Sequence, residues 1–148
     1  MGRKFTEKDT KAFLKSMTDF SLENHKILMQ IMELRTVAES CTVRTDKESV
    51  QSSGSGDKMA NIVGKIVDLE KQLYKYEKII LHRRAEFEEI SKKMRDDRQR
   101  EFLTIRYYDG HGFYDTALIM DLSDSTAKRI HKKAITEFTK LFNEKHYI

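Results

Sequence analysis

The sequence predicts an all-α protein: a long helical hairpin followed by a C-terminal helix-turn-helix unit. Three observations predict it. Proline is absent while 35% of residues are charged, a composition that favours long helices. From Met59 onward apolar residues recur on a strict heptad, the period of packed α-helices. Residues 113–142 read as a short helix, a sharp turn and a second helix.

The first helix is expected over about residues 6–41. Phe13, Phe20, Ile27, Leu34 and Cys41 form one heptad row. Met17, Ile31 and Ala38 form the other, interrupted by Asn24, which is either a solvated residue at a kink or a buried polar group that fixes register. Leu14, Leu28 and Met32 widen the stripe. Ser21-Leu22-Glu23-Asn24 looks like a capping box displaced by one residue, where the helix would restart or kink. Residues 42–57 are rich in Ser, Gly and charge, show no periodicity, and read as a flexible loop that lets the chain reverse.

Asp57 then suits the N-cap of a second long helix. Its rows are Met59, Ile66, Leu73, Ile80, Phe87, Met94 and Ile62, Leu69, Tyr76, Arg83, Ile90. Such a stripe needs a partner helix, so Ile62, Ile66, Leu69, Leu73, Tyr76, Ile80, Phe87 and Ile90 are the expected hairpin or oligomer core. Packing within one chain and packing between two copies both satisfy the pattern. Val63, Val67 and Ile79 add flanking apolar surface. Arg83 in the seam lies near its end, pairs with a carboxylate, or runs its stem out of a groove to solvent.

Lys92, Lys93, Arg95, Arg98 and Arg100 form a basic run. Asp96 and Asp97 look like helix-start residues, so a division is expected there: residues 1–96 as hairpin and oligomerisation unit, 97–148 as the helix-turn-helix unit. A helix over 98–109 carries Phe102, Leu103, Ile105 and Tyr108, and Gly110 ends it. The next helix spans about 113–120, with Ala117 small enough for a close crossing. Asp121 sits at the turn, where φ > 0 is expected. Leu122 points to the core, Ser123 caps the last helix and Asp124 suits its positive end. Ala127, Ile130 and Ala134 form that helix's buried stripe, and Phe138, Leu141 and Phe142 are expected to pack on the helix containing Phe102.

A helix-turn-helix places its second helix in the DNA major groove. Ser125, Thr126, Lys128, Arg129 and Lys132 are its outward residues and the candidates for base edges, because Arg bonds guanine bidentately and hydroxyls bond bases or phosphates. Ser123, Lys133, Arg98 and Arg100 are the candidates for phosphate. The net charge of +4 is compatible with nucleic acid.

Residues 100–141 resemble region four of bacterial sigma factors. The carriers are Arg100-Glu-Phe-Leu-Thr-Ile-Arg-Tyr-Tyr-Asp-Gly110, Ala117, Leu122-Ser123, Thr126 and Lys133-Ala134. Thr116 stands where that family usually has Ile or Leu, and Asp121 where it has Gly. Asp57-Lys-Met-Ala-Asn-Ile-Val-Gly-Lys-Ile-Val-Asp-Leu-Glu70 and Leu122-Ser-Asp-Ser-Thr-Ala-Lys-Arg-Ile-His-Lys-Lys extend the resemblance to the ArpU/RinA-like late transcription regulators of phages and prophages. That resemblance implies control of phage late genes, such as those for packaging and morphogenesis. The helix-turn-helix makes double-stranded DNA the expected partner, the long helices make a homodimer the expected assembly, and contact with host RNA polymerase belongs to the interaction-module alternative. Nothing resembles sigma region two, so a complete sigma factor is not expected.

Other classes fit less well. No histidine stands at metal-ligand spacing, Gly54 and Gly56 are not between a strand and a helix, and Glu88-Glu89 lies on a Lys/Arg-rich helix. No enzyme, metal or cofactor is expected. No apolar run approaches the roughly 20 residues of a membrane span, no signal peptide is evident, and the lone Cys41 fits a reducing compartment. The expected location is the cytoplasm of a bacterial host. A protein-interaction module and a phage DNA-packaging recognition subunit are the alternatives.

Overall fold

The computed structural model describes residues 3–47 and 52–147, and every element in them is helical. In order these are α1 (Glu7–Lys47), α2 (Ser52–Ser91), α3 (Asp97–Leu103), a π-helical turn (Thr104–Tyr108), α4 (Phe113–Ile119) and α5 (Asp124–Tyr147). Contacts divide the chain into two compact units, one of Met1–Phe20 with Ile80–Ile148, the other of Ser21–Ile79. The two long helices contribute a segment to each.

Within the Ser21–Ile79 unit α1 and α2 form the hairpin. Ile27, Ile31 and Ile62 are buried in its seam. Leu34, Ile66, Leu69, Leu73 and Tyr76 are half-buried, as expected where two helices cover each other along one line only. Leu28, Met32, Val63 and Val67, which the sequence places at the edges of the stripe, stay exposed for the same reason. Arg35 reaches across to Glu70 at 2.8 Å. Asn24 lies half-buried in the seam, with its Oδ1 out of solvent and no hydrogen-bond partner among the described residues.

Two boundaries differ from expectation. α1 runs through Ser21 without a restart and continues to Lys47, and α2 begins at Ser52. Most of the expected 42–57 loop is therefore helical, and Asp57 lies inside α2 rather than capping it. Extending an existing helix gains a hydrogen bond for each residue fixed, so a run of weak helix formers does not by itself stop one. Residues 48–51 of that stretch lie outside the described residues.

The other unit is built around the C-terminal half of α5. At 1.5 Å per residue α5 is about 36 Å long, longer than a helix-turn-helix covers, and its stripe of Ile135, Phe138 and Leu141 needs a partner surface. That surface is Leu14 and Met17 of α1 together with Phe87, Ile90 and Met94, joined by Leu103 and Tyr107. Ring contacts link Phe138 to Phe13 and Phe87 at centroid distances of 6.1 and 5.8 Å. The compact units therefore do not follow a division at residue 96: the base of the hairpin and the helix-turn-helix share one core. Phe138 and Leu141 pack on the helix containing Phe102, as expected, through its Leu103, while Phe102 itself packs with Ala117, Ala127 and Ile130.

Polar contacts fix the same packing. The buried hydroxyls of Thr10 and Thr139 meet at 2.5 Å. Asn143 accepts from the Phe5 amide at 2.8 Å and donates to the Phe5 carbonyl at 2.9 Å. Lys145 bridges Glu86 and Glu89, both at 2.7 Å. Arg83 donates to the Ser16 hydroxyl and lies over the rings of Phe13 and Phe20. Its partners are thus a hydroxyl and two aromatic faces rather than a carboxylate.

Candidate nucleic-acid interface

The turn between α4 and α5 follows from its residues. Asp121 adopts φ 55°, the left-handed conformation expected of it. Its amide bonds Leu118 O at 3.1 Å, and the Leu122 amide bonds Ala117 O at 2.8 Å, closing α4. Ser123 then caps α5: its Oγ accepts from the Thr126 amide at 3.2 Å and its carbonyl takes the first helical bond, from Ala127, at 2.9 Å. Ala117 and Ala127 are buried together with Phe102 and Ile130, so small residues stand where the two helices approach. Thr116 is fully buried and donates to Gly112 O at 2.8 Å. Its hydroxyl is thereby satisfied at a position where an aliphatic side chain would need no partner.

A π-helical turn aims the preceding segment. The Asp109 amide reaches back five residues to Thr104 O at 2.8 Å, and Gly110 ends the segment at φ 85°. The wide turn separates two consecutive tyrosines. Tyr107 meets His131 of α5 at 2.7 Å, whereas Tyr108 donates to Glu88 of α2 at 2.7 Å. His131 is enclosed by Phe102, Tyr107 and Phe113. Burial, with lesser repulsion from Lys11 and Arg106, pushes its imidazole down to about 4. It is a neutral locking residue on the inner face of α5.

The outer face of α5 carries most of the expected contact residues. Ser125, Lys128, Arg129, Lys132 and Lys133 are exposed, and Thr126 is half-buried. Arg129 and Lys133 line one groove with Arg98, Gln99 and Asp96 of the α3 start, and a second with Gln99, Lys132, Thr136 and Glu137. The fold thus places Arg98 and Lys133 on one groove.

Three residues are less free than their sequence positions suggest. Arg100 is half-buried and already engaged, donating to Met94 O at 3.2 Å and to the Asp97 carboxylate. Ser123 donates to Thr126 Oγ1 at 2.8 Å in addition to capping. Lys128 pairs with Asp124 at 3.2 Å. Gln99 and Thr136 lie in the grooves but are absent from the sequence-derived set. The signal was available for Thr136, one turn beyond Lys132, but not for Gln99, whose relation to α5 is tertiary.

Among the described residues no helix is long and apolar enough to cross a membrane, and no three His, Cys, Asp or Glu side chains gather where they could hold a metal. No family model matches the sequence, and comparison with curated proteins and with solved structures returns no match.

Proposed function

We propose that this protein is a sequence-specific DNA-binding transcription regulator that lays α5 in the major groove of duplex DNA. The observation that carries the reading is the α4–α5 turn, with Asp121 at φ 55° presenting the exposed Arg129, Lys132 and Lys133 beside Arg98. Arg129 and Ser125 face base edges in this reading, with Thr126, Lys128 and Lys132 alongside. Lys133 and Arg98 hold phosphates, and a phosphate contact from Ser123 would add to its cap. The resemblance to ArpU/RinA-like regulators makes activation of phage late genes in a bacterial cytoplasm the specific form of the proposal, with the protein acting as a homodimer. Selection of bound duplexes from a random pool at physiological salt tests it. An enriched motif is expected. Retention without enrichment would indicate a phosphate-driven binder, and no retention would end the reading.

A second reading has its own observation. Tyr114, Leu118 and Ile119 of α4 are exposed, Leu118 at 79%. A patch of this kind next to the basic face favours a protein contact, host RNA polymerase in the first instance. Co-purification with polymerase from nuclease-treated host lysate, lost in Leu118→Glu, is the expected result.

A further inference from the structure

The hairpin segment Ser21–Ile79 buries one heptad seam and leaves a second one open. On α2, Val63, Val67, Glu70 and Tyr74 follow at spacings of four, three and four. On α1, Leu28, Met32 and Arg35 follow at four and three. The apolar members are all exposed: Leu28 46%, Met32 53%, Val63 49%, Val67 42% and Tyr74 61%. Spacings of three and four put each set on one helix face. The Arg35–Glu70 ion pair at 2.8 Å joins the two sets, so both open rows lie on the same side of the hairpin.

We infer that this face is a homodimer interface, in which two copies pack about a two-fold axis parallel to the hairpin helices. Charge points to a second copy. The charge pattern is self-complementary in one orientation. An axis parallel to the helices lays α1 of each copy over α2 of the other and sets Arg35 against the second copy's Glu70. An axis across the helices at that level would set Arg35 against Arg35 and Glu70 against Glu70. The guanidinium has five N–H donors, enough for its own Glu70 and for that of the second copy. The four charges then close a ring at the centre of the face. Tyr74 packs across the interface against Leu28 and Met32, joining the two open seams into a four-helix bundle.

This inference goes beyond DNA binding and does not depend on it. Sedimentation equilibrium of the full chain tests it, with circular dichroism as the control for folding. Wild type is expected at twice the chain mass of 17.5 kDa, and M32E/V67E at the single mass with unchanged helicity, because both positions are exposed. A monomeric wild type, a higher oligomer, or a variant that remains dimeric would overturn it. Orientation is read by disulfide formation in a C41A background. Chains carrying M32C and chains carrying Y74C should cross-link when mixed. Cross-linking of M32C alone would overturn the parallel axis.

Discussion

The Tyr107 hydroxyl and His131 Nε2 are hydrogen-bonded at 2.7 Å, so the helix proposed to read DNA is pinned on its inner face by a neutral imidazole. Burial first, then Lys11 and Arg106, hold that imidazole down to about 4, against an ordinary value of 6.5. The unfolded chain therefore takes up this proton below about pH 6.5, while the folded chain resists it until about pH 4. Across that window the unfolded state binds more protons, so stability falls as pH falls. His131→Gln removes the titration. Between pH 7 and pH 5 the unfolding free energy from urea curves should fall less in the variant than in wild type, by about 1–2 kcal/mol once partial exposure is discounted. Equal drops in both proteins would rule out His131 as the acid-sensitive lock. Glu86 acts lower on the scale. Burial raises its carboxyl, but hydrogen bonds from Lys145 and His146 outweigh that and leave it below its usual value.

Thr10 and Thr139 form a buried polar contact between α1 and α5, and each hydroxyl also has a backbone carbonyl four residues earlier, Thr6 O at 3.2 Å and Ile135 O at 2.7 Å. Replacing one by Val strands part of the other's hydrogen-bonding capacity. Thr10→Val and Thr139→Val should each cost about 1–2 kcal/mol, and the double variant less than their sum, because no hydroxyl is then left facing an apolar wall. A double-mutant cycle by urea denaturation reads the coupling. Strict additivity would show that the two hydroxyls do not interact.

How much of this was legible in the sequence depended on whether the cause was local. Ile62, Phe87 and Ile90 are buried, as heptad spacing leads one to expect because it fixes a helix face, but Phe87 and Ile90 are buried against α5, which the spacing alone does not report. Asp121 was legible because a turn that needs positive φ leaves few residue choices. The start of α2 at Ser52 was not, because the Ser and Gly residues at 52–56 mimic a loop even where helix propagates. Nor was the whole fate of Arg100: Asp97 is its neighbour one turn back in α3, but Met94 O comes within its reach only through the turn at residues 92–96. The shared core of Phe13, Phe87 and Phe138 joins positions more than a hundred residues apart, and no local pattern reports such a pairing.

At Asp121 the conformation itself makes a prediction. With φ at 55°, a side chain is tolerated there only at a cost that Gly avoids and a β-branched residue enlarges. Asp121→Gly should be neutral or stabilising by up to about 1 kcal/mol, and Asp121→Val destabilising by about 1–2 kcal/mol. Thermal melts followed by circular dichroism decide it. Equal melting temperatures for the Gly and Val variants would mean that the turn relaxes to another conformation.

The contrast between Arg129 and Arg100 separates recognition from architecture. Arg129 is exposed beside Lys132 and Lys133, whereas Arg100 is held by Met94 O and Asp97. On the DNA-binding proposal, Arg129→Ala should weaken the selected site by about 1–3 kcal/mol and relax preference at one base position. Lys133→Ala and Arg98→Ala should weaken all sequences alike, each lowering the slope of log affinity against log salt by about 1. Arg100→Ala should instead lower folding stability by about 1 kcal/mol, through the lost carbonyl bond, and leave the salt slope unchanged. Binding titrations at several salt concentrations, set beside urea curves for the same variants, read all four. An Arg100 variant that flattens the salt dependence while keeping its stability would show that this side chain leaves its internal partners to hold phosphate.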